Sequence, residues 1–194
     1  MSDVLAAVRS HLREHFTGEP DSASVTFLGV EAIDVLRFGP DHGGVVHYAS
    51  VGCSRHPMAD PGEMVHDDTG PRAEVTVSLI GPTPNGLVQS IAVVAAAPAV
   101  EGVVLVPDAL IDLETPLWAG APFTAVLLGT SDIDDVALAE PLSPVVFLSA
   151  TPITATEAAW VRLKGAEAMR EAWRVDGVDV LDPRRRASRP DSTA

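Results

Sequence analysis

Between His42 and Asp67 the chain gathers most of its chemically versatile side chains: His42, His47, Cys53, His56, Asp60, His66 and Asp67. Histidine, cysteine and aspartate are zinc-ligating types, so a metal centre is the first chemistry this cluster suggests. Strand spacing weighs against its simplest form. The run Val45–Val51 is β-branched and aromatic, and an extended segment would hold His47 and Cys53 roughly 20 Å apart at ~3.3 Å per residue. A site would have to draw on Cys53, His56 and His66 across the following loop. That defines the alternative reading, a small-molecule or metal-binding enzyme using this loop. Cys53 as a nucleophile would need a base such as His56 within hydrogen-bond reach, and an oxyanion pocket; the sequence supplies neither. The pairs Asp67–Asp68 and Asp134–Asp135 fall in acidic loops and read as solvated surface. No phosphate-binding loop, dinucleotide fingerprint, His-Glu-x-x-His or Gly-x-Ser-x-Gly occurs. The expectation is no metal, no cofactor and no catalytic residue.

The elements that would position these residues follow from periodicity. Val4, Leu5, Val8, Leu12 and Phe16 fall at helical spacing behind a possible Ser2 cap. Ser24–Gly29, Ile33–Phe38 and Val45–Val51 are strand candidates, the last two joined by the glycine-rich turn 39–44 as a hairpin. Gly52 closes the third strand, and residues 57–71 read as a long exposed loop. Arg72–Ile80 alternates Ala73, Val75, Val77 and Leu79 against Glu74, Thr76 and Ser78, which predicts a strand with one wet face. Asn85 is placed to cap a buried helix over Gly86–Ala97. Val103–Val106, Thr124–Leu128, Val145–Ser149 and Val178–Leu181 are further strand candidates. Thr154 and Glu157 form a capping box for a helix to about Trp173, broken or tightly packed at Gly165. The class is α+β, in one domain over residues 1–182, with 183–194 a disordered Arg-rich tail.

Composition narrows the function classes. The chain has 194 residues, 46% of them hydrophobic, one cysteine and a net charge of −14. Arg184, Arg185, Arg186 and Arg189 against Asp191 leave about −17 on the rest. Such a surface repels phosphate backbones and anionic headgroups, so neither nucleic acid nor membrane is the expected partner. No apolar run approaches the ~20 residues of a membrane span, and the N-terminus shows no signal-peptide pattern. The lone cysteine suits a reducing cytoplasm. Trp118, flanked by Pro116 and Pro122, is the tryptophan best placed to contact a partner.

Four stretches together resemble the suppressor-of-fused family in its bacterial form. They are Tyr48-Ala-Ser-Val-Gly52-Cys-Ser54-Arg-His-Pro57-Met58, Gly70-Pro-Arg-Ala-Glu74-Val75, Val146 to Thr154 running into Glu157, and Gly177 to Arg184. The first is similar to the family's Tyr-x-Thr-x-Gly-x-Ser-x-x-Pro-Met pattern, with Ser50 in place of threonine and Cys53 where an aliphatic residue is usual. A family that needs no thiol there argues against an essential Cys53. The resemblance implies a mixed, largely antiparallel sheet flanked by helices, and no catalysis. Animal members restrain Gli-type transcription factors by clamping a short peptide, partly as an added strand, and carry a second domain for which this length leaves no room. Bacterial members have been proposed as immunity proteins that neutralise polymorphic toxins. The expected function is thus non-enzymatic protein binding, of immunity type or regulatory, toward a basic toxin domain or a short peptide segment. Tyr48, Gly52, Ser54, Pro57, Met58, Glu74 and Trp118 are the expected partner-binding residues.

Overall fold

A computed structural model describes residues 4–59, 62 and 68–188 of the chain. Helix α1 (Val4–His15) buries Val4, Val8 and Leu12, one stripe at helical spacing; Ser2 lies outside the described residues. Strands β1 (Asp21–Phe27), β2 (Val30–Phe38), β3 (Val45–Val51) and β4 (Arg72–Ile80) follow, successive strands pairing antiparallel. The chain then leaves the middle of the sheet through α2 (Leu87–Glu101) and restarts at the far edge with β5 (Leu110–Asp112). It returns inward through β6 (Phe123–Thr130) and β7 (Val145–Thr154), and β7 lies parallel to β4. The order is β1-β2-β3-β4-β7-β6-β5, with β4–β7 the one parallel pair among seven strands.

Both sheet faces are covered. On one side α2 packs Ile91, Ala92, Val94 and Ala95 with Val46, Tyr48, Val75, Val77 and Val126. The other side is divided. Val8 and Leu12 of α1 meet Leu36, Ala49, Val51 and Phe147. Met169 and Trp173 of α4 (Ala166–Asp176), with Ala158 and Val161 of α3 (Ala155–Lys164), meet Ala125, Leu127 and Ile153. Gly165 ends α3 and begins α4 at φ 93, the break its sequence position suggests.

Several local expectations are corrected. β4 has no wet face at its start, because it is a central strand and the chain closes over its polar side: Arg72, Glu74 and Thr76 are all buried. Asn85 does not cap α2, whose N-terminal boundary is Gly86 in the left-handed region with no side-chain cap. No strand forms over Val103–Val106 or Val178–Leu181; strand β5 begins instead at Leu110, three residues too short to carry a periodic signal.

The chain continues in placed structure past the expected boundary at residue 182. Residues 183–188 are placed, and Arg185 and Ser188 are buried. Arg185 donates to both Glu157 oxygens at 2.8 and 3.0 Å and to the Pro152 carbonyl at 2.8 Å, with its guanidinium over the rings of Phe123 and Trp173. Arginine-rich composition suggests a solvated tail, yet one of these arginines has a buried carboxylate to meet. Arg189 and Asp191 lie outside the described residues.

Candidate functional site

Past Ala49↔Thr76 the backbone ladder between β3 and β4 stops, and side chains take over. Ser50 Oγ stands where a carbonyl would, accepting from the Val75 amide at 2.9 Å and donating to Glu74 Oε2. Glu74 Oε1 accepts from the Gly52 amide at 2.8 Å, the Ser54 amide at 3.0 Å and Ser54 Oγ at 2.6 Å. The carboxyl is fully buried. Burial raises its pKa above the ordinary 4.5, against the pull of the Ser50, Ser54 and Gly52 hydrogen bonds. Two residues earlier on the same side of β4, Arg72 donates to the carbonyls of Ser54 at 2.8 Å and Arg55 at 2.9 Å. The 3₁₀ turn Cys53–Arg55 is therefore gripped twice, at the Ser54 amide and hydroxyl by Glu74 and at the Ser54 and Arg55 carbonyls by Arg72. Burial lowers the Arg72 pKa, partly offset by Asp68.

Gly52 makes the grip possible. It sits at φ 145, and a Cβ there would stand 2.9 Å from Ile33 Cδ1 and 3.1 Å from the Ala32 carbonyl. Gly52→Ala is expected to cost about 3 kcal/mol, from backbone strain plus overpacking. Gly29, also at positive φ but with open space around it, serves as the control, and Gly29→Ala should cost only about 1 kcal/mol. Urea midpoints compare the two, and equal losses would exclude the steric account.

The other expected residues are held by partners of their own. Met58 donates its amide to the Pro71 carbonyl at 2.7 Å and accepts at Sδ from the Leu105 amide at 3.3 Å. Tyr48 is buried, with its hydroxyl donating to Thr83 Oγ1 at 2.8 Å. Pro57 is half-buried. Trp118 packs against Phe123 with ring centroids 5.3 Å apart and is only 7% exposed. Six of the seven expected partner-binding residues (Tyr48, Gly52, Ser54, Met58, Glu74 and Trp118) are thus buried. Tyr48, Gly52, Ser54, Met58 and Glu74 belong to the frame, while Trp118 lines a groove between α2 and the segment 110–120; the pattern reads as conspicuous because a buried polar network tolerates few residue types.

The Cys53/His56/His66 loop divides in the same way. Cys53 is a buried thiol whose pKa is pushed well above the usual value, by burial first and by Glu74 second. His56 is exposed and shares Glu31 with Arg55, its Nε2 2.8 Å from Glu31 Oε2. His66, Asp60 and Asp67 lie outside the described residues. His47 is held between Ser78 at 2.8 Å and Asp41 at 3.3 Å.

A solvent-facing groove lies elsewhere. A groove of about 870 Å³ separates α2 from β5 and the segment after it. One wall is the stripe Gln89, Val93, Ala97 and Glu101, at i+4 spacing on α2; the other includes Leu110, Asp112, Leu113 and Glu114. β5 is the last strand on that side of the sheet. Antiparallel alternation, with Leu113 and Ala109 bonded to β6, turns the backbone groups of Leu110 and Asp112 away from β6. Glu101, Asp112 and Glu114 line the groove, and no Lys, Arg or His among the described residues does. The expected helix end at Ala97 stops short of Glu101, so this i, i+4 stripe emerges only once α2 extends to Glu101; the opposing wall has no periodic pattern to reveal it.

These features define a class: a single α+β domain whose buried polar residues lock a strand-exit turn, and whose free surface offers a groove along a sheet edge. The model for the Suppressor of fused protein (SUFU) family matches residues 29–186, and the chain belongs to that family. No curated protein sequence matches it. The fold is similar to a crystal structure from Neisseria gonorrhoeae FA 1090 bearing the name of a SUFU homologue, with TM-score 0.71 and 18% identity over 99% of this chain and 100% of that one. It is similar to a chain of the Sufu–Fu complex, with TM-score 0.67 and 15% identity over 95% of this chain and 91% of that one. Drosophila Suppressor of Fused gives TM-score 0.69 and 16% identity over 95% of this chain, which spans 50% of that one. The expected α+β class and the family resemblance both hold.

Proposed function

We propose that the chain is a non-enzymatic protein-binding domain that receives a basic segment of its partner in the groove between α2 and β5. The observation that carries this is the groove itself: an open strand edge facing Val93 and Ala97, with Glu101 and Glu114 met by no Lys, Arg or His among the described lining residues, while Asp112 is paired with Arg162 at 2.7 Å. An extended segment laid along β5 would satisfy outward backbone groups, and basic side chains would meet Glu101 and Glu114. The net charge of −14 favours fast encounter with a cationic protein. The Sufu–Fu complex is a case of a similar fold recorded with a protein partner. A cytoplasmic, immunity-type role, in which a basic toxin domain is bound and neutralised, is the biological form most consistent with this chemistry. Of the seven expected partner-binding residues, Trp118 lines this groove, and Tyr48, Gly52, Ser54, Pro57, Met58 and Glu74 enter as the frame that sets the sheet.

The test is charge reversal. Both glutamates are exposed, so Glu101→Lys with Glu114→Lys should leave the fold unchanged. Wild-type protein should retain a partner from its native lysate, and the variant should bind that partner at least about tenfold more weakly. Retention with undiminished affinity would place the interface elsewhere. The immunity form is checked separately, by co-expressing the product of the neighbouring open reading frame and scoring growth; no protection would remove it.

A further inference from the structure

Three arginines stand in a row at residues 184–186, and the structure treats them differently. Arg184 and Arg186 are exposed, while Arg185 is buried. The cavity Arg185 enters has the elements that distinguish a guanidinium from an ammonium. Glu157 offers both carboxylate oxygens to the two terminal nitrogens, at 2.8 and 3.0 Å. The Pro152 carbonyl accepts a further N–H at 2.8 Å, and the planar group lies 4.9 Å from the Phe123 ring centroid and 5.5 Å from that of Trp173. Fork-to-fork bonding between two aromatic faces is arginine chemistry, and a lysine would forfeit most of it.

The body of the domain builds this pocket without help from its occupant. The Thr154 amide at 2.9 Å and Trp173 Nε1 at 3.0 Å fix the Glu157 carboxylate, in the capping box that opens α3. Phe123 belongs to β6, Pro152 to β7 and Trp173 to α4, all rigid elements. The occupant, in contrast, arrives on a segment with few other holds. Beyond its Arg185 side chain, the segment is tied to the body by the Ser188 amide to Glu157 at 3.0 Å and the Ser188 hydroxyl to Asp176. Alongside it runs a cleft of about 1190 Å³, walled by Thr154–Thr156 and by Asp176–Asp179.

We propose that Glu157, Phe123, Trp173 and the Pro152 carbonyl form an arginine-binding pocket, filled in cis by Arg185, that accepts an arginine of a protein partner when residues 183–188 are displaced. This site is distinct from the α2–β5 groove and does not rest on it. The segment is then an internal ligand, and a competing chain must supply an arginine with room for flanking residues along the cleft.

The test begins with full-length Arg185→Ala and methylguanidinium as the probe. Methylguanidinium should raise the variant's melting temperature saturably, should leave the wild type unmoved, and should act far more strongly than methylammonium or sodium at equal concentration. Adding Glu157→Gln to the variant should abolish the effect. Should Arg185→Ala fail to fold, recovery of folded protein on refolding with methylguanidinium, but not methylammonium, reads the same property; failure with both overturns the pocket. The exchange in trans is read on the wild type with a synthetic peptide of sequence Arg-Arg-Arg-Ala-Ser. The peptide should accelerate hydrogen exchange at the Ser188 amide, and a version with lysine at its centre should be at least about tenfold less effective. No acceleration by either peptide, or equal acceleration by both, overturns the exchange.

Discussion

Glu74→Ala should destabilise the fold by about 4 kcal/mol, whereas Glu74→Gln should cost only about 1 kcal/mol. Alanine leaves the Gly52 and Ser54 amides without an acceptor inside a closed corner, and removes the partner of both serine hydroxyls. Glutamine keeps one oxygen for the Oε1 donors, and its amide can donate to Ser50 Oγ once that hydroxyl turns. The substitution also carries a pH signature. Because burial raises the folded pKa above 4.5, the folded chain holds this proton more tightly than the unfolded chain does. The stabilisation is fully present below the unfolded value and is lost as pH rises through the folded one. Glutamine is neutral throughout and should flatten that part of the profile. Urea denaturation of the three proteins across the acidic range measures both effects; an alanine variant within 1 kcal/mol of wild type would mean the carboxyl does not hold the corner.

A chain ending at Pro183 should lose about 3–5 kcal/mol, because it leaves the buried Glu157 without its cation. Composition alone would mark the removed residues as dispensable. In the intact protein burial pushes the Glu157 pKa up, but Arg185 and the Thr154, Ser188 and Trp173 donors outweigh it, so the folded value lies below 4.5. That contribution is present above the unfolded pKa and disappears as pH falls through the folded one. The gap between intact and shortened chains should therefore be widest near neutrality and narrow in acid. Equal urea midpoints at neutral pH would show that the ion pair adds nothing net.

What was legible in the sequence, and what was not, follows the range of the forces involved. The Val45–Val51 strand, the Gly52 exit and the Thr154–Glu157 capping box depend on neighbours within a few residues, and all three stand. The alternation of β4 was correctly read as a two-sided strand, but which side meets water depends on its two neighbours in the sheet and on the turn folded over its start. Glu74 could be recognised only as part of a pattern; its purpose requires knowing that residues 50, 52 and 54 return to it in space. The prolines that flank Trp118 report on the backbone, and nothing in them shows that the ring packs on Phe123. Arg185 is the sharpest case, since nothing local separates it from Arg184 or Arg186. Its burial is decided by a carboxylate 28 residues away.

The single parallel seam has a kinetic consequence. All seven strands can find at least one antiparallel neighbour close by in sequence, within the run β1 to β4 or the run β5 to β7. β4 and β7 meet only when Arg72 reaches Val145 and Thr76 reaches Ser149, closing a loop of about seventy residues. The chain is thus two meanders whose joining edges are distant in sequence, and the slowest conformational search falls on that junction. Until it closes, the polar start of β4 lacks its β7 neighbour, and the grip of Arg72 and Glu74 on the Cys53–Arg55 turn gives the first meander a fixed edge against which the second can register.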